Sequence, residues 1–133
     1  MPANTDRYEN AVSRYFEAWN AREPKARTKA VAAAWAVGGG YTDPLADVVG
    51  HEQIAGVIAA AHEQFPGFAF RLTGSVEGHH DTARFSWELV SEVGGTPSGG
   101  GSAPVAGSDV ITLAGDGRIR SVLGFLDRVP DGA

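Results

Sequence analysis

The sequence predicts one α+β domain in which three helices are followed by the strands of an antiparallel sheet. Large apolar residues recur every three or four positions up to about residue 65 and every second position after it. Clusters of glycine and proline separate these segments. A chain of 133 residues has the size of one domain with one core. We therefore expect residues 1–133 to form a single unit whose helices cover one face of the sheet.

Three helices and a short strand are predicted in the first half. The first helix carries a one-sided apolar stripe of Tyr8, Val12, Tyr15, Phe16 and Trp19. Pro24 fits the first turn of the second helix, which is expected to stop at the glycine run 38–40. A short strand near Tyr41 is expected to join the edge of the sheet. The third helix runs roughly from His51 to Phe65 and is ended by Pro66.

Four longer strands are predicted in the second half. Their inward residues are expected to be Phe68, Phe70 and Leu72, then Ala83, Phe85, Trp87 and Leu89, then Val105, Asp109, Ile111 and Leu113, and last Ile119, Leu123 and Phe125. Asp116 and Gly117 predict the hairpin turn between the last two strands. The glycine- and serine-rich segment 94–104 predicts a flexible hairpin loop, because another strand of the same sheet follows it.

Composition excludes several classes of function. The net charge of -5 and the lack of a basic cluster argue against nucleic-acid and anionic-membrane partners. The chain contains no cysteine, so thiolate chemistry and thiolate metal sites are excluded. No two histidines have the spacing of a helical zinc site, and no metal or other cofactor is expected. No segment is apolar enough for a signal peptide or a membrane span, which predicts a cytoplasmic protein.

Two aspartates are the strongest candidates for chemistry. Strand alternation turns Asp109 toward the core, where burial raises the pKa of a carboxyl group and favours a neutral form that can donate a hydrogen bond. The alternative is that Asp109 pairs with a buried Arg84. Asp43 precedes Pro44 at a helix–strand junction. It is either a base at the rim of a pocket or an ordinary turn-forming residue.

Aromatic side chains are expected to surround these acids. Tyr15 lies on the buried stripe of the first helix, so its hydroxyl needs a partner, which is either Asp109 or a backbone carbonyl. Tyr41 is a rival hydrogen-bond donor. His80 is either a proton carrier or a solvated residue of a hairpin turn. The predicted ligand-binding residues are Trp19, Tyr41, Phe65, His80, Phe85, Trp87 and Phe125.

Three segments carry a resemblance to a known family. AVSRYFEAWNARE, YTDPLADVVGHEQI and AGSDVITLAGDGRIRSV resemble the nuclear-transport-factor-2-like superfamily, and within it the SnoaL-like branch that includes polyketide cyclases and ketosteroid isomerases. The likeness runs from Tyr8 to Asp127. It implies a strongly curved sheet around three helices, forming a cone-shaped barrel with one internal pocket.

The resemblance also implies roles for three residues. Asp43 falls on the base of the ketosteroid isomerases, while Tyr15 and Asp109 fall on the tyrosine and the protonated acid that stabilise an oxyanion. We expect a cofactor-independent isomerase or cyclase acting on a small apolar carbonyl compound.

Other functions remain open at this point. They are a non-catalytic binding module for a small apolar ligand, an epoxide hydrolase with an Asp–Arg pair, or a dehydratase with a His–Asp pair. The family further implies a homodimer through the outer sheet face, where Ala106, Val110 and Val122 are expected to point.

Overall fold

The computed structural model describes residues 3–91 and 105–129, with side chains from Asp6 onward. The helices are α1 Ala3–Asn20, α2 Pro24–Ala34 and α3 His51–Gln64. The strands are β1 Trp35–Asp43, β2 Ala46–Val49, β3 Phe68–His79, β4 Thr82–Ser91, β5 Val105–Leu113 and β6 Ile119–Arg128. The predicted loop 94–104 lies entirely outside the described residues.

The six strands form one curled, mixed sheet in the order β2-β1-β6-β5-β4-β3. β1 runs parallel to β6, whereas the other neighbouring pairs are antiparallel. β2 and β3 are the two edges, so the sheet is curved but not closed. The predicted α+β class with three helices is confirmed, and β1 lies inside the sheet where the sequence predicted a short edge strand.

The core lies between the helices and the concave face of the sheet. The stripe on α1 packs against β3 and α2, with Tyr8, Val12, Tyr15 and Trp19 buried. Burying each large apolar side chain stabilises the fold by roughly 1.5–3 kcal/mol before chain entropy is counted. The alternating faces of β4 and β5 are also as predicted, from Ala83 to Leu89 and from Val105 to Leu113.

The predicted end of the second helix is wrong, because α2 stops at Ala34 and the glycine run lies within β1. The pairing of β1 with β6 shifts register between Trp35 and Gly40, which marks a bulge. Gly38 has a φ of +77°, a conformation that favours glycine. A Cβ atom on Gly39 would lie 3.0 Å from the carbonyl oxygen of Ala36. The glycines therefore permit an irregular strand and do not terminate the helix.

A second bulge reverses the predicted faces of β6. Leu113 pairs with Ile119, but Thr112 pairs with Ser121, so one extra residue separates the two rungs of the ladder. A shift of one residue moves every later side chain to the opposite face. Val122 is consequently 1% exposed and Phe125 is 58% exposed. The predictions that Leu123 and Phe125 point inward and that Val122 points outward are wrong.

Candidate active site

A cavity of about 1040 Å³ opens between α1, α3 and the concave face of the sheet. Its volume is at the upper end of the range for small-molecule sites. The wall is mainly apolar and aromatic. Its polar side chains are Tyr15, Trp19, Tyr41, Asp43, Gln53, Gln64, Trp87 and Asp109.

Asp109 lies on the inner wall of this cavity. Regular alternation along β5 turns it inward, and its side chain is 2% exposed. The Tyr15 hydroxyl donates to Asp109 Oδ2 at 2.5 Å, and the Trp87 indole lies close enough to the same carboxyl group to lower its pKa. Arg84 instead faces outward and pairs with Glu77 at 2.8 Å. The predicted alternative of an Asp109–Arg84 pair is therefore wrong.

Burial dominates the acidity of Asp109. Desolvation raises its pKa from 3.8 to about 6, and the neighbouring Asp43 charge acts in the same direction. The hydrogen bond from Tyr15 and the nearby Trp87 indole both act to lower the pKa, but their effect is smaller than that of burying the charge. Burial, followed by the nearby Asp109 charge, also raises the pKa of the Tyr15 phenol. With a pKa of about 6, roughly one Asp109 in ten is neutral at pH 7, and the neutral form prevails below pH 6.

Asp43 occupies the end of β1 and uses its two oxygens differently. Oδ1 accepts the backbone N–H groups of Leu45 and Ala46, each at 2.8 Å. Oδ2 accepts the hydroxyl of Tyr41 at 2.5 Å. Burial and the bond to Asp43 raise the pKa of Tyr41. The sequence left two alternatives open for Asp43, a turn-forming residue or a base at the rim of a pocket. In the structure, Asp43 both stabilises the turn and lines the cavity.

The two acids approach each other across Gly124, which sequence reasoning missed. A Cβ atom there would lie 2.9 Å from Asp109 Oδ1 and 3.3 Å from the Cβ of Asp43. Gly124 pairs with Asp109 in the ladder between β5 and β6, and the parallel pairing of β6 with β1 brings Asp43 to its other side. The missing side chain at Gly124 thus leaves room for both carboxyl groups.

Four of the seven predicted ligand-binding residues line the cavity: Trp19, Tyr41, Phe65 and Trp87. Phe85 lies behind the wall, with its ring centroid 5.4 Å from that of Tyr15. Sequence reasoning assigned no ligand-binding role to Phe70, Val57 or Leu126, which also line the cavity. The apolar face of α3 could have indicated that Val57 lines the cavity. Leu126 could not be recognised in this way, because the bulge in β6 determines which face of the sheet it lies on.

Two further predicted positions need correction. The bulge in β6 turns Phe125 to the outer face, away from the cavity. His80 is an exposed residue of the β3–β4 turn with a φ of +51°, and its backbone carbonyl accepts the Tyr8 hydroxyl at 2.8 Å. A hairpin position was one of the two alternatives for His80, and it places the imidazole outside the cavity wall.

The histidines of α3 bind the backbone. His51 Nε2 lies 2.8 Å from the carbonyl oxygen of Trp35, and His62 Nε2 lies 2.7 Å from that of Trp19. Within residues 3–91 and 105–129, no three His, Asp or Glu side chains are grouped as metal ligands would be. None of the helices in those same ranges combines the length and apolarity needed to cross a bilayer.

Comparison with known proteins gives matches to a domain family and to solved structures. The model of the SnoaL-like domain matches residues 12–122. A candidate isomerase of the SnoaL-like family from Agrobacterium tumefaciens str. C58 is 38% identical, with 92% of this chain and 98% of that chain covered and a TM-score of 0.80. A comparison with curated proteins finds no match.

Two more distant structures share the fold. One is a candidate SnoaL-like polyketide cyclase from Jannaschia sp. CCS1, with 21% identity, 92% and 87% coverage and a TM-score of 0.70. The other is a protein with a cystatin-like fold from Nostoc punctiforme PCC 73102, with 12% identity, 98% and 96% coverage and a TM-score of 0.68. From the domain match and the 38% identical relative, the chain belongs to the SnoaL-like family.

Proposed function

We propose that this protein is a cofactor-independent acid–base enzyme that enolises a small, mostly apolar carbonyl compound. One observation carries the proposal: two carboxyl groups, each accepting a hydrogen bond from a tyrosine hydroxyl, lie on the wall of the same apolar cavity. Acid–base catalysis needs two titratable groups in different environments. Asp109 is deeply buried, whereas Asp43 lies at the end of a strand beside a turn.

In the proposed reaction, Asp43 takes a proton from the carbon next to the carbonyl group. The carbonyl oxygen becomes an enolate oxygen, which accepts hydrogen bonds from neutral Asp109 and from Tyr15. In an isomerisation, Asp43 returns the proton to a different carbon of the same molecule. In a cyclisation, the enolate carbon attacks a second carbonyl group of that molecule, and the proton passes to the new alkoxide. Each route conserves protons and electrons without a redox partner.

The contacts around Asp109 support this role. The Trp87 indole near the carboxyl group can only donate, so it offers no acceptor to a protonated Asp109. When Asp109 carries a proton, Asp109 and Tyr15 together hold two O–H donors and need only one of them for their mutual bond. The other donor is then free for an oxygen of the ligand. Removing one such donor typically lowers a rate by about 10²-fold or more.

Among the described residues that line the cavity, none supplies the group that the other enzymatic alternatives require. Opening an epoxide with an Asp–Arg pair requires a guanidinium group there, but Arg84 is exposed and paired with Glu77. Dehydration with a His–Asp pair requires an imidazole group. His51 and His62 bind backbone carbonyls, and His79 and His80 lie at the β3–β4 hairpin. Enolisation needs only the acids and hydroxyls that are present.

The test is hydrogen–deuterium exchange next to a carbonyl group, which does not require the natural substrate. We expect the wild-type protein to accelerate deuterium uptake from D₂O into 2-tetralone, a flat two-ring ketone, as followed by mass spectrometry. Asp43→Asn should lower that acceleration by about 10²–10⁴-fold, the usual contribution of a general base. Asparagine still offers an oxygen to the amides of Leu45 and Ala46, so the turn is retained.

Asp47→Asn is the matched control. Asp47 lies in the adjoining strand and is exposed, and its carboxylate accepts the Thr42 hydroxyl without lining the cavity. Its replacement should leave the exchange rate unchanged. Equal rates for wild type and Asp43→Asn would contradict the proposed mechanism.

A non-catalytic binding module is the second candidate. It is favoured by the fact that both carboxyl groups already have hydrogen-bonding partners in the protein, which is enough to orient a ligand without reacting with it. Binding of 2-tetralone without any acceleration of deuterium uptake by the wild-type protein would select this function.

We also propose a homodimer through the outer face of the sheet. Leu123 is 49% exposed and Phe125 is 58% exposed on the outer side of β6, and exposed apolar groups of this size favour association. Phe125→Lys should yield monomers in sedimentation experiments, while Val37→Lys, at an exposed position in β1, should leave the dimer intact. A wild-type monomer would contradict this part of the proposal.

A further inference from the structure

Trp19 carries a buried donor without an acceptor. It lies one helical turn after Tyr15 on α1, lines the cavity, and is 5% exposed. Its Nε1 atom is buried and has no hydrogen-bond partner among the described residues. Buried N–H groups without partners are rare in folded proteins because they lose their bonds to water and gain nothing in return.

The other two tryptophans differ in this respect. Trp35 Nε1 donates to the carbonyl oxygen of Gly40 at 3.3 Å, and the Trp87 indole lies close enough to the Asp109 carboxyl group to lower its pKa. Trp87 and Trp19 both line the cavity, but Trp35 does not. The indoles of Trp35 and Trp87 therefore each have an oxygen atom of the protein nearby. At Trp19 no such acceptor is present among the described residues, although the side chain lines the cavity.

The surroundings of Trp19 hold its ring in place. The ring centroid lies 4.9 Å from that of Phe70 and 5.5 Å from that of Tyr41. The backbone carbonyl of Trp19 is bonded to His62 of α3. The indole is thus packed on two sides and anchored at the backbone, and it cannot readily turn to another protein acceptor. A donor fixed before binding loses little entropy when a ligand arrives.

Trp19 and Tyr15 are neighbours on the cavity wall. Their ring centroids lie 6.2 Å apart, and the Trp19 indole acts to lower the pKa of that phenol, against the larger effect of burial. The two groups nevertheless fall short of a complete hydrogen bond. The spacing of four residues on α1 puts both groups on one side of the helix. An oxygen atom placed beside the Tyr15 hydroxyl would also be within reach of Trp19.

We infer that the Trp19 indole N–H donates a hydrogen bond to the carbonyl or enolate oxygen of the ligand, beside Tyr15 and Asp109. The inference rests on the proposed function, since it concerns the same cavity. It narrows the ligand class: a pure hydrocarbon leaves this donor unpaired, whereas a compound with an oxygen acceptor next to its apolar rings satisfies it. Trp19 then selects for oxygen at one point of an otherwise apolar wall.

The test compares two ligands of nearly the same shape. 2-Naphthol has an oxygen on a flat pair of rings and resembles an enolate, and naphthalene lacks that oxygen. Replacing Trp19 with β-(3-benzothienyl)alanine exchanges the N–H for sulfur and preserves the shape of the ring. We expect the replacement to weaken 2-naphthol binding about tenfold, as for the loss of one hydrogen bond, and to leave naphthalene binding unchanged.

The same replacement at Trp35 is the matched control, because that N–H donates to Gly40 and not to the cavity. It should alter neither affinity. In ¹H–¹⁵N spectra, the indole signal of Trp19 should move downfield with 2-naphthol more than with naphthalene, while the Trp35 signal stays in place. The naphthalene spectrum corrects for the ring current that both ligands produce.

Equal weakening of both ligands would show that Trp19 acts only through its shape and would overturn the inference. So would unchanged affinity for 2-naphthol, or a wild-type protein that does not bind it. These outcomes are separate from the exchange experiment with Asp43→Asn. If Asp43→Asn loses exchange but the Trp19 replacement has no effect, the proposed enzymatic function stands and the role of Trp19 as a donor is rejected. If Asp43→Asn keeps exchange but the Trp19 replacement weakens 2-naphthol binding, only the role of Trp19 as a donor stands.

Discussion

Replacing Asp109 with asparagine should make the free energy of unfolding less sensitive to rising pH. Asparagine has nearly the same shape as aspartate and still offers an oxygen to Tyr15, but it cannot ionise. In the wild type, burial raises the pKa of Asp109 to about 6 from the usual 3.8. Between these two values the folded state binds more protons than the unfolded state. The stabilising contribution is therefore complete below pH 3.8 and is lost as the pH rises through 6.

The size of the effect follows from the two pKa values. Their separation corresponds to about 3 kcal/mol at about 1.36 kcal/mol per pH unit. About 2 kcal/mol of it falls between pH 4.5 and pH 7.5, where the fold can be studied away from strong acid. Asp109 is almost entirely buried, so solvent does not screen this contribution. The Asn variant should gain that amount of stability relative to the wild type over this interval.

Urea unfolding followed by tryptophan fluorescence measures the difference. The quantity to compare is the free energy of unfolding of Asp109→Asn minus that of the wild type, since this subtraction cancels the titration of all other groups. We expect the difference to increase by about 2 kcal/mol from pH 4.5 to pH 7.5. A difference that stays constant, or that decreases with pH, would refute the assignment of a buried, hard-to-ionise acid at this position.

The remaining predictions concern the same wall of the cavity. Gly124→Ala should lower 2-tetralone exchange at least tenfold with little loss of thermal stability, because its Cβ would displace the Asp109 and Asp43 side chains; full activity would contradict their proximity. Gly107→Ala should destabilise the fold by about 1–3 kcal/mol in urea unfolding, because its Cβ would overlap the Trp87 ring; an unchanged midpoint would argue against that packing. The rate of exchange should fall as the pH rises above about 6, since the neutral form of Asp109 is lost, and a rate that climbs through this range would speak against a neutral donor.

The regular parts of the fold could be predicted from the sequence. On α1 and β5, the apolar period matches the element without interruption, so Tyr15 and Asp109 were both expected to point inward. The hydrogen bond that joins them spans elements far apart in the chain. The resemblance to a family suggested their shared role, but the periodicity of either element alone could not have shown their contact.

The irregular parts could not be predicted in the same way. The extra residue in β6 reverses the face of Phe125, and nothing in the local pattern of that strand marks it. The glycines before Tyr41 look like the end of a helix because glycine is common there, yet they form a bulge in β1. Gly124 affects the site only because β1 and β5 lie on its two sides and bring Asp43 and Asp109 next to it. Such features depend on pairing between distant strands, which a single sequence does not display.

The most direct test of the account is a titration of the Asp109 carboxyl group itself. The ¹³Cγ resonance of Asp109, assigned by its absence in the Asp109→Asn variant, reports the protonation of this side chain alone. We predict a midpoint near pH 6 in the ligand-free protein. A midpoint at or below pH 4 would mean that the carboxyl group is ionised throughout the working range, and it would contradict the role of Asp109 as a proton-bearing donor.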